Sequence, residues 1–199
     1  MSLKSSLVLA ALALAAGSAL ADTIPYPGGG QNVATYSFTA QTSGPISAYF
    51  LGSGASYDES LGLLVNGTQL GPIGLDNHST PYGTELTFGN VTAGDTLVFF
   101  INVVNTGETY YSVPGMNDDG AQHIYSTPYS GDAGAGIPAG TYVGFEDLPA
   151  AGADWNYSDE QFAFTNVSST SAIPEPANAG LLLAGLGLMA VVARRRGVK

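Results

Sequence analysis

The chain has 199 residues, 16 Asp and Glu against 5 Lys and Arg, a formal net charge of −11 and no cysteine. All the basic residues (Lys4, Arg194, Arg195, Arg196 and Lys199) lie at the two ends, so the stretch from Asp22 to Ala193 holds every carboxylate and no ammonium or guanidinium group. That excludes disulfides, thiol or Schiff-base catalysis in the body and internal salt bridges beyond those of His78 and His123, and its negative field disfavours nucleic acid and anionic membranes as partners.

In chain order, the first segment is MSLKSSLVLAALALAAGSALA. Lys4 supplies a positive start, Leu7–Ala16 a short apolar stretch, and Ala19-Leu20-Ala21 the small-x-small pattern of a cleavage site. Residues 1–21 are therefore expected to be a cleaved signal peptide, with the mature chain beginning at Asp22. The alternative, a membrane anchor, is opposed by an apolar stretch too short to span.

The body that follows is rich in Tyr, Phe, Val and Leu, so its charge does not imply disorder. Gly and Pro interrupt nearly every window long enough for a helix, and short β-rich runs recur instead. Val33–Ala40 alternates, Ile46–Leu51 is apolar, and Leu61–Val65 meets Asn66-Gly67, a strong hairpin signal. Glu85–Phe88 leads through the turn Ala93-Gly94-Asp95 into Thr96–Val104, apolar almost throughout and suited to a strand buried on both faces. Asn105-Thr106-Gly107 turns the chain again, and His123–Ser126, Thr141–Phe145 and Gln161–Thr165 complete the set. About nine strands with regularly spaced turns predict an all-β domain over residues 22–165, an antiparallel β-sandwich of jelly-roll type. Five Asn-x-Ser/Thr sequons, at Asn66, Asn77, Asn90, Asn156 and Asn166, read as chance in a chain this rich in those residues.

Before the last of these strands comes an acidic loop. Asp154-Trp155-Asn156-Tyr157-Ser158-Asp159 places oxygen side chains at alternate positions, as in the first half of an EF-hand loop, but Asp159 stands where an EF-hand requires glycine. Glu146-Asp147 precede it across the turn Pro149–Gly152. Oxygen-only ligands with several carboxylates suit calcium. The alternative is that these are solvated loop carboxylates.

Residues 166–173 read as a polar linker, NVSSTSAI. The tail, 174–199, has three parts: Pro174-Glu175-Pro176, the uncharged run 177–193, and Arg194-Arg195-Arg196. As a helix that run spans about 26 Å, enough for a single transmembrane segment, with the arginines held on the cytoplasmic side. The tail resembles the PEP-CTERM sorting signal of Gram-negative, exopolysaccharide-producing bacteria. The resemblance implies a chain anchored in the inner membrane until an exosortase removes the tail, then placed in the cell envelope, at the surface or in the extracellular matrix. A plain single-pass anchor is the alternative.

The body in turn resembles an uncharacterised bacterial surface domain found in such proteins and in large repeat adhesins. Asn117-Asp118-Asp119-Gly120-Ala121-Gln122-His123 fits its first block, Phe145-Glu146-Asp147-Leu148 its second, and Asp154-Trp155-Asn156-Tyr157-Ser158-Asp159 its D-x-D-Y-N-D block, with Asn156 and Ser158 departing from the pattern. Together spacing and resemblance give a candidate calcium site at Asp119, Glu146, Asp147, Asp154, Asn156 and Asp159, with Asn117 and Asp118 as further contributors. His123 is a poor calcium ligand and is expected to fix the loop by hydrogen bonding. Trp155 is either a sugar-stacking platform or a cap on the core, and Tyr110, Tyr111, Tyr125 and Tyr129 either a glycan patch or packing.

Three functions compete. The first is a non-catalytic surface or exopolysaccharide-matrix protein stabilised by calcium. The second is a carbohydrate-binding module or adhesin, with glycans or other surface proteins as partners. The third is a glycan-active enzyme using a pair such as Glu146 and Asp159. No zinc spacing, phosphate loop or Ser/His/Asp partnership for His78 supports catalysis, and the expectation is that the protein is not an enzyme.

Overall fold

A computed structural model describes residues 24–172. The signal peptide with Ala19 and Ala21, the motif Pro174-Glu175-Pro176, the transmembrane run 177–193 and Arg194–Arg196 lie outside the described residues. Within them the protein is all-β: β1 (Thr35–Ala40), β2 (Gly44–Gly52), β3 (Glu59–Val65), β4 (Thr68–Gln69), β5 (Glu85–Val91), β6 (Thr96–Val103), β7 (Glu108–Tyr111), β8 (Ile124–Tyr129), β9 (Gly140–Phe145), β10 (Glu160–Thr165) and β11 (Val167–Ala172), with one 3-10 turn at Pro114–Met116.

The strands form two antiparallel sheets, ordered β11-β1-β6-β3-β4 and β5-β2-β10-β9-β8. β6 is the hub of the first. One edge pairs with β3 from Leu97 to Val103, while the other is shared by β1 at Thr96–Leu97 and β7 at Phe100–Val103. That explains the apolar run noted in the sequence, since Leu97–Ile101 is buried on both faces. The hairpin signal holds as well: Asn66 and Gly67 take φ of 50° and 82° and turn β3 into β4, the positive values that a tight hairpin turn demands.

The sheets pack face to face through a shared core. Phe38, Leu61, Leu63, Phe99 and Ile101 come from one sheet, and Ile46, Phe88, Val143, Phe145, Phe162 and Phe164 from the other. Phe99 stacks on Phe164 across the gap, ring centroids 3.9 Å apart. Each buried ring of this kind contributes about 1.5–3 kcal/mol. A second apolar cluster, Leu51, Tyr129, Ile137, Tyr142 and Ala163, lies on the outer face of the five-stranded sheet, with Ile24 of the leading segment packed against it.

One boundary changes. The segment expected to be a polar linker is strand β11, paired with β1 along its length from Thr35↔Ala172 to Ala40↔Val167. Only Val167 of β11 is buried. An edge strand with so little to bury needs no apolar alternation, and its pairing rests on backbone hydrogen bonds, which Ser and Thr side chains do not advertise. The domain therefore runs to Ala172. The short strand β7 is likewise additional to the expected set.

Antiparallel register brings the start of β3, the end of β9 and the start of β10 to one end of the domain. Glu59 pairs with Val103, and Glu160 with Phe145. That end holds the acidic loop.

Candidate metal centre

The loop between β9 and β10 is built by its own side chains. Asp154 Oδ1 accepts from the Asn156 backbone N–H at 3.0 Å, and Asp154 Oδ2 from the Asn156 side-chain amide at 2.7 Å. Asn156 Oδ1 in turn accepts from the Ser158 N–H at 2.7 Å and its hydroxyl at 2.6 Å. Trp155 and Tyr157 between them take positive φ, 58° and 55°. The alternating oxygens thus cap the backbone two residues on, as successive Asx turns. The spacing that suggested convergence on a cation is used locally, and Asn156 is exposed, with its oxygen already engaged.

Asp119 is also occupied. It accepts N–H bonds from Ala121 and from Ala150, both at 2.9 Å, and lies 3.0 Å from His123 Nε2. Burial pushes its carboxyl up, but those donors and the imidazole outweigh burial and hold it below its ordinary value. His123 is fully buried, faces the Glu146 carbonyl with Nδ1 at 3.1 Å, and stacks on Tyr110 at 4.1 Å. It fastens the β7–β8 connection to the end of β9. Asn117 bonds the backbone of Tyr111 and Ala121, and Asp118 is exposed.

Three of the six candidates do converge. Glu146, Asp147 and Asp159 each place a carboxylate oxygen within 4.8 Å of the others. A calcium–oxygen distance of about 2.4 Å sets opposite ligand oxygens about 4.8 Å apart, so one ion can bridge this span. Their donors are few. Glu146 Oε2 accepts from the Trp155 N–H at 2.8 Å and Asp159 Oδ2 from the Asp147 N–H at 3.1 Å, while Glu146 Oε1 has no partner. Asp154 stands at the rim, close enough for its charge to act on Glu146 and Asp159.

Two further carboxylates complete the cluster, and the loop reading missed both. Residue exposures are 1% for Glu59, 1% for Glu146, 5% for Asp147, 9% for Asp159 and 0% for Glu160. Glu59 and Glu160 are each the first residue of a strand. The signal was in the sequence: Glu59 is in phase with Leu61 and Leu63, and Glu160 with Phe162 and Phe164, all core residues. Alternation places each glutamate on the inward face.

The electrostatics follow from burial without counter-charge. Burial, then the charges of Asp159, Asp154 and Asp147, push Glu146 up to about 8 against the pull of the Trp155 N–H. Burial and the neighbouring Asp147 raise Asp159. Glu59 is raised by burial and by contact with the Asp147 carboxyl, and Glu160 is raised well above its ordinary value by burial, Asp76 and Asp147. The donor set is hard oxygen alone, the chemistry of a group 2 cation.

The aromatic candidates are mostly packed. Tyr110 and Tyr129 are buried, so the four tyrosines do not form one exposed patch. Trp155 is half-buried, 5.8 Å from the His123 ring and 6.1 Å from that of Tyr157. His78 is exposed and bonds Asp58 and the Ala55 carbonyl.

Residues 172–196 match the PEP-CTERM protein-sorting motif. The match begins at the last residue of β11, so the sorting tail follows the domain directly. The motif implies export, membrane attachment before cleavage and processing by an exosortase. No curated protein and no solved structure matches the chain.

Proposed function

We propose that this is a non-catalytic exported protein of the bacterial surface or exopolysaccharide matrix, a jelly-roll-like β-sandwich whose two sheets are clamped at one end by calcium. Glu146, Asp147 and Asp159 hold the ion, with Asp154 at the rim. The observation that carries this is the convergence of three buried carboxylates within 4.8 Å in a body that has no Lys or Arg. Two carboxylates at about 5 Å repel by about 3 kcal/mol at an effective dielectric of 20, and a divalent ion replaces that repulsion by attraction. Extracellular calcium is abundant, so a site of modest affinity stays filled. The burial of Glu146 and Asp159 supports a structural role, because a glycoside hydrolase must present both carboxylates to its sugar.

Thermal melting of the full-length protein after chelation, then with calcium restored, tests the reading. The midpoint should fall and recover. Coincident curves would remove calcium from the account while leaving export and sorting untouched.

A second reading, carbohydrate binding, is favoured by one observation. A depression of about 380 Å³ beside the loop is lined by Tyr26, Asp154, Trp155 and Asn156, an aromatic wall with polar edges. A glycan array probed with calcium present decides it, and an array without hits sinks it.

A further inference from the structure

The last strand points the chain at the acidic end of the domain. β11 runs from Val167, opposite Ala40, to Ala172, opposite Thr35. The Ala40 N–H donates to the Asp95 carbonyl at the far end of the sandwich, whereas Asn32, just before β1, donates its N–H to the Tyr157 hydroxyl of the acidic loop at 2.7 Å. The sorting motif begins at Ala172, so it starts on the side of that loop. The same end carries most of the exposed apolar surface. Four large apolar side chains are exposed among the described residues: Val33, Ile73, Val104 and Met116. Val33 follows Asn32, Val104 follows the partner of Glu59 in β6, and Met116 shares a depression with Gly107, Asp119 and Pro149. Only Ile73 lies on the flank, beside Gly74, which bridges to Leu61.

We propose that this end is the membrane-docking face of the uncleaved chain, seating Val33, Val104 and Met116 in the headgroup layer of a zwitterionic phospholipid surface for as long as the sorting tail holds the protein there. The motif implies membrane attachment before cleavage, and its uncharged run begins at Ala177, five Cα steps beyond Ala172. Five steps reach at most about 18 Å, and the headgroup layer takes about 6 Å of that, leaving about 12 Å. Running back beside β11 to the Asp95 end would take about 17 Å at about 3.4 Å per residue. The tether is too short to lay the far end on the bilayer and long enough to seat the near one.

Attachment makes the contact intramolecular, so weak apolar contacts suffice at the effective concentration that a short tether sets. Cleavage removes that advantage. What remains is a few apolar side chains on a body without Lys or Arg, which has nothing to offer anionic lipid and is repelled by it. Docking thus lasts only as long as the tail does, and exosortase cleavage itself releases the domain from the bilayer. Contact of this kind is independent of whether the carboxylate trio holds an ion.

The uncleaved full-length protein, reconstituted in nanodiscs of phosphatidylcholine and phosphatidylethanolamine, tests the proposal. The chain has no cysteine, so single thiols report cleanly. A fluorophore is placed at Thr106→Cys beside Val104 or at Ala93→Cys on the far end, both exposed positions, and lipid carrying a headgroup nitroxide is the quencher. Quenching should be several-fold stronger at 106 than at 93. In the Val33→Ser/Val104→Ser/Met116→Ser background the signal at 106 should fall towards that at 93, because the domain then swings freely on its tether. Equal quenching at both ends, or stronger quenching at 93, overturns the orientation. A signal at 106 that ignores the serine substitutions reports the tether alone and overturns the docking contact. Circular dichroism checks folding, and if the triple variant fails it, Val33→Ser/Met116→Ser must lower the signal at 106 for the proposal to stand.

Discussion

The two ends of the domain treat the same residue types in opposite ways. At the end where β3 turns into β4, Asp95 accepts from the Thr92 N–H at 2.7 Å and from the Asn66 amide at 2.9 Å, and Asn66 accepts from the Thr96 N–H at 3.0 Å. Asn166 there serves Thr42 and Pro45 through both ends of its amide. The Thr92 N–H and Asn66 hold the Asp95 carboxyl below its ordinary value. At the other end Glu59, Glu146 and Glu160 have buried oxygens without donors, and all three are pushed up. The difference teaches that donor supply and solvent, rather than the identity of the side chain, decide whether a carboxylate staples a turn at its ordinary or lowered pKa or is buried and pushed up.

The largest expected contrast is calcium dependence. If calcium is present at about a hundred times its dissociation constant, one site adds about 2.7 kcal/mol and raises the midpoint by about 5–10 °C. Hydrogen exchange should place the loss on chelation at the β9–β10 loop and the start of β3, with the Asn66–Asp95 end unchanged. Uniform loss at both ends would break the comparison.

Next is Glu146→Gln, which should change sign with conditions. With calcium saturating, the variant should melt several degrees below the parent. After chelation it should melt above it, because Glu146 must take up a proton to fold at neutral pH and a neutral amide need not. A loss of equal size in both states would mean that Glu146 acts by packing alone.

The pH dependence of the metal-free protein should also separate the ends. Glu146 rises from 4.5 to about 8 on folding, so the folded state keeps a proton that the unfolded chain releases. Stability should therefore decline as pH climbs through that window, and calcium should flatten the decline. Asp95 is depressed from 3.8, so its contribution is present above that value and lost as pH falls through the lowered one. Melts across pH with and without calcium read both slopes, and a metal-free midpoint that rises from mildly acid to neutral pH contradicts the acidic end.

Smaller still, Asp95→Ala should lower the midpoint by a few degrees whether or not calcium is present. Asn156→Ala should leave calcium stoichiometry unchanged and cost about 1 kcal/mol through the lost cap on Ser158, read by denaturant unfolding. Loss of calcium in the Asn156 variant would restore that residue to the site.

Much of this was legible in the chain. Alternation located the strands, Asn66-Gly67 marked a turn, and the run from Thr96 identified the central strand, because these signals are local. β11 was illegible for the converse reason: its six residues bury almost nothing, and its partner lies at the other end of the domain's sequence. Of the candidate ligands, Glu146, Asp147 and Asp159 came together, while Asp119 was taken by His123 and two backbone N–H groups and Asn156 by Ser158.

The sequence by itself determined the charge problem. Every Lys and Arg lies at an extremity, so the body offers its carboxylates no internal cation beyond His78 and His123. It also determined the tail that marks the chain for sorting, and the inward phase of Glu59 and Glu160. Only the tertiary structure decided which carboxylates meet. A side chain's phase names the face it occupies but not the strand opposite, and alternate oxygens serve a backbone N–H as readily as a metal. Packing one sheet on the other carried Glu59 to the end of β9 and left its oxygens with no donor.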